Sequence, residues 1–466
     1  MKKTILFGVG LAAACLLTAC GSDPVTTAAP TNTQSTVQTA GSETTAPTTP
    51  AHEHSFAETV KEECLKSAAT CTEAAVYYKS CQCGEKSDET FVSGEALGHD
   101  YDDTTGKCGR EGCRSYYSVG LAYTLNEKGD GYIVSGIGTC TETDIVIPEV
   151  YNGKPVTEIG DEAFMGEPSE SETEMIGIVT SVVIPNSVTT IGEYAFSGST
   201  DMTKVVIPDS VTKMESGAFW FCGLTEVTIS KNLTELESAV FGMCRNLEKI
   251  VVPDNITSLN GGVFFYCTAL TDITLPDTLT NIGGFFGPDF GETAYYKNPE
   301  NWEDGVLYVG NYLIEAKPEV LSGTYTVKAG TKAIAQNAFD GCVNLTRIEL
   351  PDGLNAIGNK AFLGCTGLTQ MTIPESVTRI ESHLFGDCTN LTGVTLHDGI
   401  TSIGASVFSE CSSLTSITFN GTKEQWNSIE KDDRWYDNWY YDDEVHYIQC
   451  TIHCTDGDIN IVTNNE

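Results

Sequence analysis

The chain has 466 residues, with 64 acidic against 26 basic and a formal net charge of −38. A surface this negative repels phosphate backbones and anionic lipid, which excludes nucleic-acid binding and electrostatic docking on a membrane. Its 18 cysteines fall into groups that need separate explanations.

Lys2 and Lys3 open the chain, and an apolar run follows over 5–17, too short to span a bilayer. Leu17, Thr18, Ala19 and Cys20 close it with small residues. Residues 1–19 therefore read as a secretory signal peptide. The pattern resembles a bacterial lipobox, which implies cleavage before Cys20 and a diacylglycerol on its thiol; a plain secreted protein with Cys20 incidental is the alternative. One acyl chain holds only marginally, so a lasting anchor needs several. Within 20–50, the stretch after Cys20 is nearly all Thr, Ala, Pro, Ser and Gly. It has almost nothing to build a core from and reads as a spacer. No later stretch is long and apolar enough to cross a membrane.

Residues 51–115 form a Cys/His-rich module carrying His52, His54, Cys64, Cys71, Cys81, Cys83, His99, Cys108 and Cys113. Structural zinc takes four thiolate or imidazole ligands, usually paired close in sequence. Cys71, Cys81, Cys83 and His99 are one candidate set, and Cys108 and Cys113 a further pair. An even number of cysteines outside the cell reads equally as a disulfide framework. The segment resembles small Cys/His modules of clostridial surface proteins that end in Gly-His-Asp-Tyr.

From residue 116 an internal repeat governs the chain. Phe164, Phe196, Phe219, Phe241 and Phe264 are spaced by 32, 23, 22 and 23, and Phe339, Phe362, Phe385 and Phe408 by 23 throughout. The acidic stretch 166–175 accounts for the long first gap. Phe286 follows Phe264 at the same kind of interval and marks a decayed copy. In the copy that starts at Leu368, Met371 and Ile373 alternate with Gln370 and Thr372 as in a half-buried strand. Pro374 ends that strand, since it lacks a donor. Val377, Ile380, Leu384 and Phe385 supply further apolar positions. No copy buries these alone, so neighbours must stack. Ten copies at the spacing of paired strands span about 45 Å.

Stacking places Ser181, Lys204, Glu226, Lys249, Asp272, Arg347, Gln370, Gly393 and Ser416 in one outward row. Val183, Val206, Thr228, Val251, Thr274, Glu349, Thr372, Thr395 and Thr418 form the other. Such a face suits a large partner met through many weak contacts; solvent-facing filler with strand propensity is the alternative. Lys204, Glu226, Lys249, Asp272, Arg347, Gln370 and Thr372 are the candidate binding residues. Cys222, Cys244, Cys267, Cys342, Cys365, Cys388 and Cys411 each follow a phenylalanine by three; stacking sets them in a ladder close enough for disulfide geometry, but seven cannot all pair among themselves, and they read better as small buried thiols. The insert 287–324, with Tyr295, Tyr296, Trp302 and the apolar run 306–314, reads as a loop plus a hairpin projecting from one edge, or as a patch over the decayed copy. Residues 116–160 read as an entry cap with a hairpin. Residues 420–466, carrying Trp426, Trp435, Trp439, Tyr440 and Tyr441, form an exit cap whose aromatics either bury against the last repeat or stack on sugars.

The repeat form Ile-x-Ile-Pro-x-x-Val-Thr-x-Ile-Gly-x-x-Ala-Phe-x-x-Cys, carried best over 182–196 and 371–388, resembles the BspA-like class of leucine-rich repeats. The likeness covers roughly 117–460. It implies a β-rich leucine-rich-repeat solenoid at 161–419, about ten repeats at the phenylalanine spacing, built of short parallel strands and turns with terminal caps. It also implies a surface-exposed binding protein, with some members linked to adhesion and host matrix, and no catalytic residues. Phe285, Phe286 and His397, which replaces the usual proline, depart from the form. The partner expected is a protein or glycan at the cell surface, the membrane being met through the lipid alone. A structural envelope scaffold with bacterial partners, and a hydrolase, are the alternatives. Only His383 and His397 lie in the repeats, neither with a nucleophile or carboxylate at recurring spacing, and no phosphate loop occurs.

Overall fold

The computed structural model describes residues 55–69, 74–82, 85–94, 105–108, 116–168, 175–283, 290–436 and 449–461. They fall in two units, one within Met1–Cys64 and Tyr78–Phe91 and the other within Leu65–Tyr77 and Val92–Glu466. In the first, Ala57 and Ser80 exchange backbone hydrogen bonds. Lys79 there joins Glu58 and Glu89 at 3.4 and 3.1 Å, and Cys64 and Cys81 are buried. In the second, Leu65 and Ser67 pair antiparallel with Tyr77 and Val76, and Lys107 bridges Tyr116.

The rest of the second unit is a β-solenoid of about twelve turns with almost no helix. The logic of one turn is visible at Gln370–Thr372, where Met371 is buried while Gln370 and Thr372 are exposed. Pro374 then reverses the chain, its carbonyl accepting from Val377 N–H at 3.0 Å. The two-residue strand Arg379–Ile380 turns Ile380 inward. Leu384, Phe385, Cys388 and Leu391 complete the interior. Burying each large side chain contributes about 1.5–3 kcal/mol, and only the neighbouring turns make that burial possible.

Two parallel ladders follow, and each residue pairs with its equivalent one turn on. In the first, Gln370 is opposite Gly393 and Gly393 opposite Ser416. In the second, Arg379 is opposite Ser402 and Ser258 opposite Asn281. The phenylalanines stack between them, from Phe164–Phe196 at 5.2 Å to Phe241–Phe264 at 6.3 Å between ring centroids. Each turn also contains a left-handed residue two before its phenylalanine: Tyr194, Ala239, Lys360 and His383 have φ of 52°, 59°, 57° and 55°. Gly217 takes that place in one turn at φ 65°, and a Cβ there would stand 2.2 Å from the Tyr194 ring lying over it.

Where the proline of the turn is missing, a polar side chain does related work. Ser230 Oγ donates to the Val211 carbonyl at 2.7 Å and accepts from Asn232 N–H at 3.2 Å. His397 uses its two nitrogens the same way, Nε2 at 2.9 Å from the Val377 carbonyl and Nδ1 accepting from Gly399 N–H at 3.1 Å. The departure at His397 therefore leaves the turn regular.

Of the two readings of the insert, the structure bears out the patch within the stack and not the projection. Phe290 continues the phenylalanine column, 5.9 Å from Phe264; Phe286, which marks the decayed copy by its spacing, lies outside the described residues. The hairpin Val306–Val309 and Tyr312–Ala316 forms, but it does not project. Both strands are buried almost throughout, and Tyr312–Ala316 joins the second ladder through Tyr312 opposite Ala333 and Leu313 opposite Ile334. Leu307, Val309, Tyr312 and Ile314 belong to the core before it, and Val306, Tyr308, Leu313 and Ala316 to the core after it. With successive side chains on opposite faces, the hairpin is a partition whose two sides are both dry. This strand and Glu430–Lys431, which pairs with Ser402–Ile403, add places to the second ladder and take the count beyond the ten copies read from the phenylalanines.

The ends are closed differently. Ala122–Leu125 and Tyr132–Gly136 form an antiparallel hairpin, and the latter pairs parallel with Lys154–Ile159. Tyr123 stacks on Tyr151 at 3.8 Å beside it. At the far end a helix, Lys423–Ser428, starts at a capping box made by Thr422 and Gln425. It buries Trp426, while Trp435 packs edge-on against Phe408 at 6.2 Å. The described tail tryptophans are thus core; Trp439, Tyr440 and Tyr441 lie outside the described residues.

Candidate binding face

The first ladder sets out its outward residues at one per turn in each row. In Ser181–Val183, Lys204–Val206 and Lys249–Val251 the central residue is buried and both flanking ones exposed. Glu226–Thr228 and Asp272–Thr274 repeat the pattern with a half-buried centre. Lys204, Glu226, Lys249, Asp272, Arg347, Gln370 and Thr372 all stand on this exposed side. Gly393 and Ser416 continue the row half-buried.

The charges on this face neutralise each other. Lys204 reaches Glu226 at 2.6 Å and Lys249 reaches Asp272 at 2.6 Å, each across one turn. Arg347 pairs with Glu349 at 3.1 Å, and Glu349 also accepts from Thr326 at 2.9 Å. Exposed pairs like these add little to stability, but they leave the face near electroneutral on a chain of net charge −38. Between them Val183, Val206 and Val251 are 57%, 63% and 52% exposed. At the edges of the strands, threonine hydroxyls at positions 346, 369, 392 and 415 each donate to the equivalent carbonyl one turn earlier.

The cysteine column is chemically quiet. The thiols of Cys222, Cys244, Cys267, Cys365, Cys388 and Cys411 donate to the carbonyl of the phenylalanine one turn earlier at 3.0–3.2 Å. Burial pushes all seven thiols well up, Cys244, Cys342 and Cys411 to about 12. A buried thiol held protonated near neutral pH is a poor nucleophile. His383, half-buried, is held below its ordinary value by burial and by Lys360.

Of the proposed metal ligands, Cys81 and Cys108 are described and both buried, one in each unit. Cys71, Cys83, His99 and Cys113 lie outside the described residues, as does Cys20. Among the described residues no cluster of three or more His, Cys, Asp or Glu could hold a metal, and no helix is long and apolar enough to cross a membrane.

The structure adds residues that the sequence reading passed over. Trp220, Phe221, Phe265 and Tyr266 follow the phenylalanine column by one and two positions and remain half-exposed. Trp220 lies against Gly242, and Arg245 sits over the Phe221 ring at 5.3 Å. Aligning those two columns would have isolated the aromatic run, because Gly386, Asp387, Ser409 and Glu410 fill the same places later.

Short strands stacked turn on turn over a hydrophobic interior, one phenylalanine to each turn, define a leucine-rich-repeat solenoid. The family described as BspA type Leucine rich repeat region matches in six copies over residues 157–286 and 325–432, just over half of the chain. The chain belongs to that family. Among solved structures, a leucine rich cell surface protein of Faecalibacterium prausnitzii A2-165 is 27% identical, covering 69% of this chain and 99% of that one, with a TM-score of 0.34. A leucine-rich repeat protein of Bacteroides ovatus is 21% identical, covering 67% and 96%, with a TM-score of 0.28. The pneumococcal vaccine antigen PcpA is 18% identical, covering 67% and 91%, with a TM-score of 0.30. No curated protein matches the chain.

Proposed function

We propose that this is a non-catalytic surface protein, held to the outer face of a bacterial membrane by a lipid on Cys20, that recognises a protein or glycan through the first-ladder face. The observation that carries the reading is the row of exposed valines, Val183, Val206 and Val251, set among ion pairs that cancel their own charge. Apolar side chains that the fold does not need outside are the feature that marks a contact surface. Family membership supports display of a repeat array, and the buried thiols are poor nucleophiles.

The test is an array of glycans, bacterial envelope components and host matrix proteins probed with the full chain and with Val206→Glu/Val251→Glu. The double variant should lose the hits while keeping its thermal transition, because both positions face solvent. Retention of every hit would move recognition elsewhere. For the anchor, a metabolically incorporated fatty-acid analogue should label the wild-type chain and not Cys20→Ser; equal labelling of both would refute it.

A further inference from the structure

We propose that the insert between the two halves of the solenoid is a separate recognition site, which takes the cationic side chains of a basic peptide. The site lies around a short helix, Ala294–Lys297, the strand Trp302–Glu303 and the partition hairpin. Tyr296 and Trp302 meet edge to face at 5.2 Å. Their geometry is fixed at both ends: Trp302 Nε1 donates to the Tyr296 carbonyl at 2.7 Å, and Tyr296 hydroxyl donates to Glu315 Oε1 at 2.8 Å. The other oxygen of Glu315 is buried and has no partner.

Cations already sit on these rings. The Lys317 ammonium lies 4.0 Å over Trp302. Lys328 lies 4.2 Å over Tyr308 and pairs with Glu303 at 2.5 Å. An ammonium over a ring face is held by the quadrupole, and neighbouring carboxylates strengthen the attraction. Between residues 290 and 328 the sequence has six carboxylates, Glu292, Glu300, Glu303, Asp304, Glu315 and Glu319, against three lysines. The chain's own lysines thus show the chemistry that the rings accept, and the excess of carboxylate leaves room for more positive charge. Lys317 is only half-buried, so a lysine or arginine from a partner can take its place on Trp302. The net charge of −38 draws such a partner in from a distance. Acceptor-only carboxylates around a ring match cationic donors better than they match a neutral sugar.

The experiment uses the full chain with fluorescently labelled oligolysine and oligoarginine at low salt, read by anisotropy, and a neutral chito-oligosaccharide in parallel. Lys317→Ala vacates the ring and should tighten oligolysine binding several-fold. Glu303→Gln/Glu319→Gln, both at exposed positions, should weaken it several-fold. Glu235→Gln/Glu375→Gln, which removes the same charge at exposed positions elsewhere, should leave it unchanged. Equal weakening by the two double variants would mean diffuse attraction to an acidic surface and overturn the proposal. So would absence of oligolysine binding, or capture of the sugar alone.

Discussion

Tyr312 offers the sharpest test of the partition. Its side chain is fully buried, and its hydroxyl serves two backbone groups of the preceding turn at once. It donates to the Pro276 carbonyl at 2.5 Å and accepts from Leu279 N–H at 3.2 Å. Tyr312→Phe preserves the ring and its packing but leaves both groups buried without partners. Each such loss costs about 1–3 kcal/mol, so the pair should cost about 2–6 kcal/mol, well above the effect of removing a surface hydroxyl. The loss should fall on the turns before the hairpin, to which Pro276 and Leu279 belong. Urea unfolding followed by circular dichroism gives the total. Hydrogen exchange, resolved to peptides, locates it, with protection falling over 249–283 more than over 345–419. A shift below about 0.5 kcal/mol, or an equal loss of protection in both halves, would refute the assignment of this hydroxyl as the tie between hairpin and first half.

Three further outcomes are expected. Gly217→Ala places a Cβ against the Tyr194 ring at a left-handed position and should destabilise the protein by about 1–3 kcal/mol; in a double-mutant cycle Tyr194→Ala should recover part of that loss, and strict additivity would argue against the clash. Burial holds the Glu315 carboxyl above its ordinary 4.5, so the folded protein binds a proton more tightly there than the unfolded chain does. Stability should therefore fall as pH rises above about 4.5 through the folded value, and Glu315→Gln should melt higher than wild type at pH 7 yet equal to it at pH 4; parity at both pH values would contradict this. Finally, Cys244, pushed up to about 12 by burial, should resist iodoacetamide at pH 8 until denaturant is added, and rapid alkylation of the native protein would disprove a closed column.

The repeat was legible because one residue type recurs at one depth. A phenylalanine that must stack on its neighbour cannot drift, so its interval survives where surrounding positions vary. The face was legible for a similar reason, since alternation in Lys249–Val251 or Gln370–Thr372 leaves one assignment of inside and outside. The partition stays open in the sequence between a projection and a patch, although the signal to choose is present. Val306, Leu307, Tyr308 and Val309 are apolar at every position, which is the mark of a strand covered on both faces, and a projecting hairpin would alternate. Phe290, which continues the column beside Phe264, falls 26 residues after it, off the recurring interval, so spacing alone could not find it. The contacts of Lys317 with Trp302 and of Lys328 with Tyr308 join groups well separated along the chain, through a bend that no local pattern specifies.

A dry wall inside the stack has a consequence for how the molecule tolerates change. Most turns on each side end on their own surface of the Val306–Ala316 hairpin, and the two groups also meet directly where Gln336 N–H donates to the Ile282 carbonyl at 2.8 Å. A copy gained or lost at Phe241 lies well away from this junction and need not disturb the register at Phe385. Two short stacks sharing an internal lid can thus vary in length separately while remaining a single covalent display.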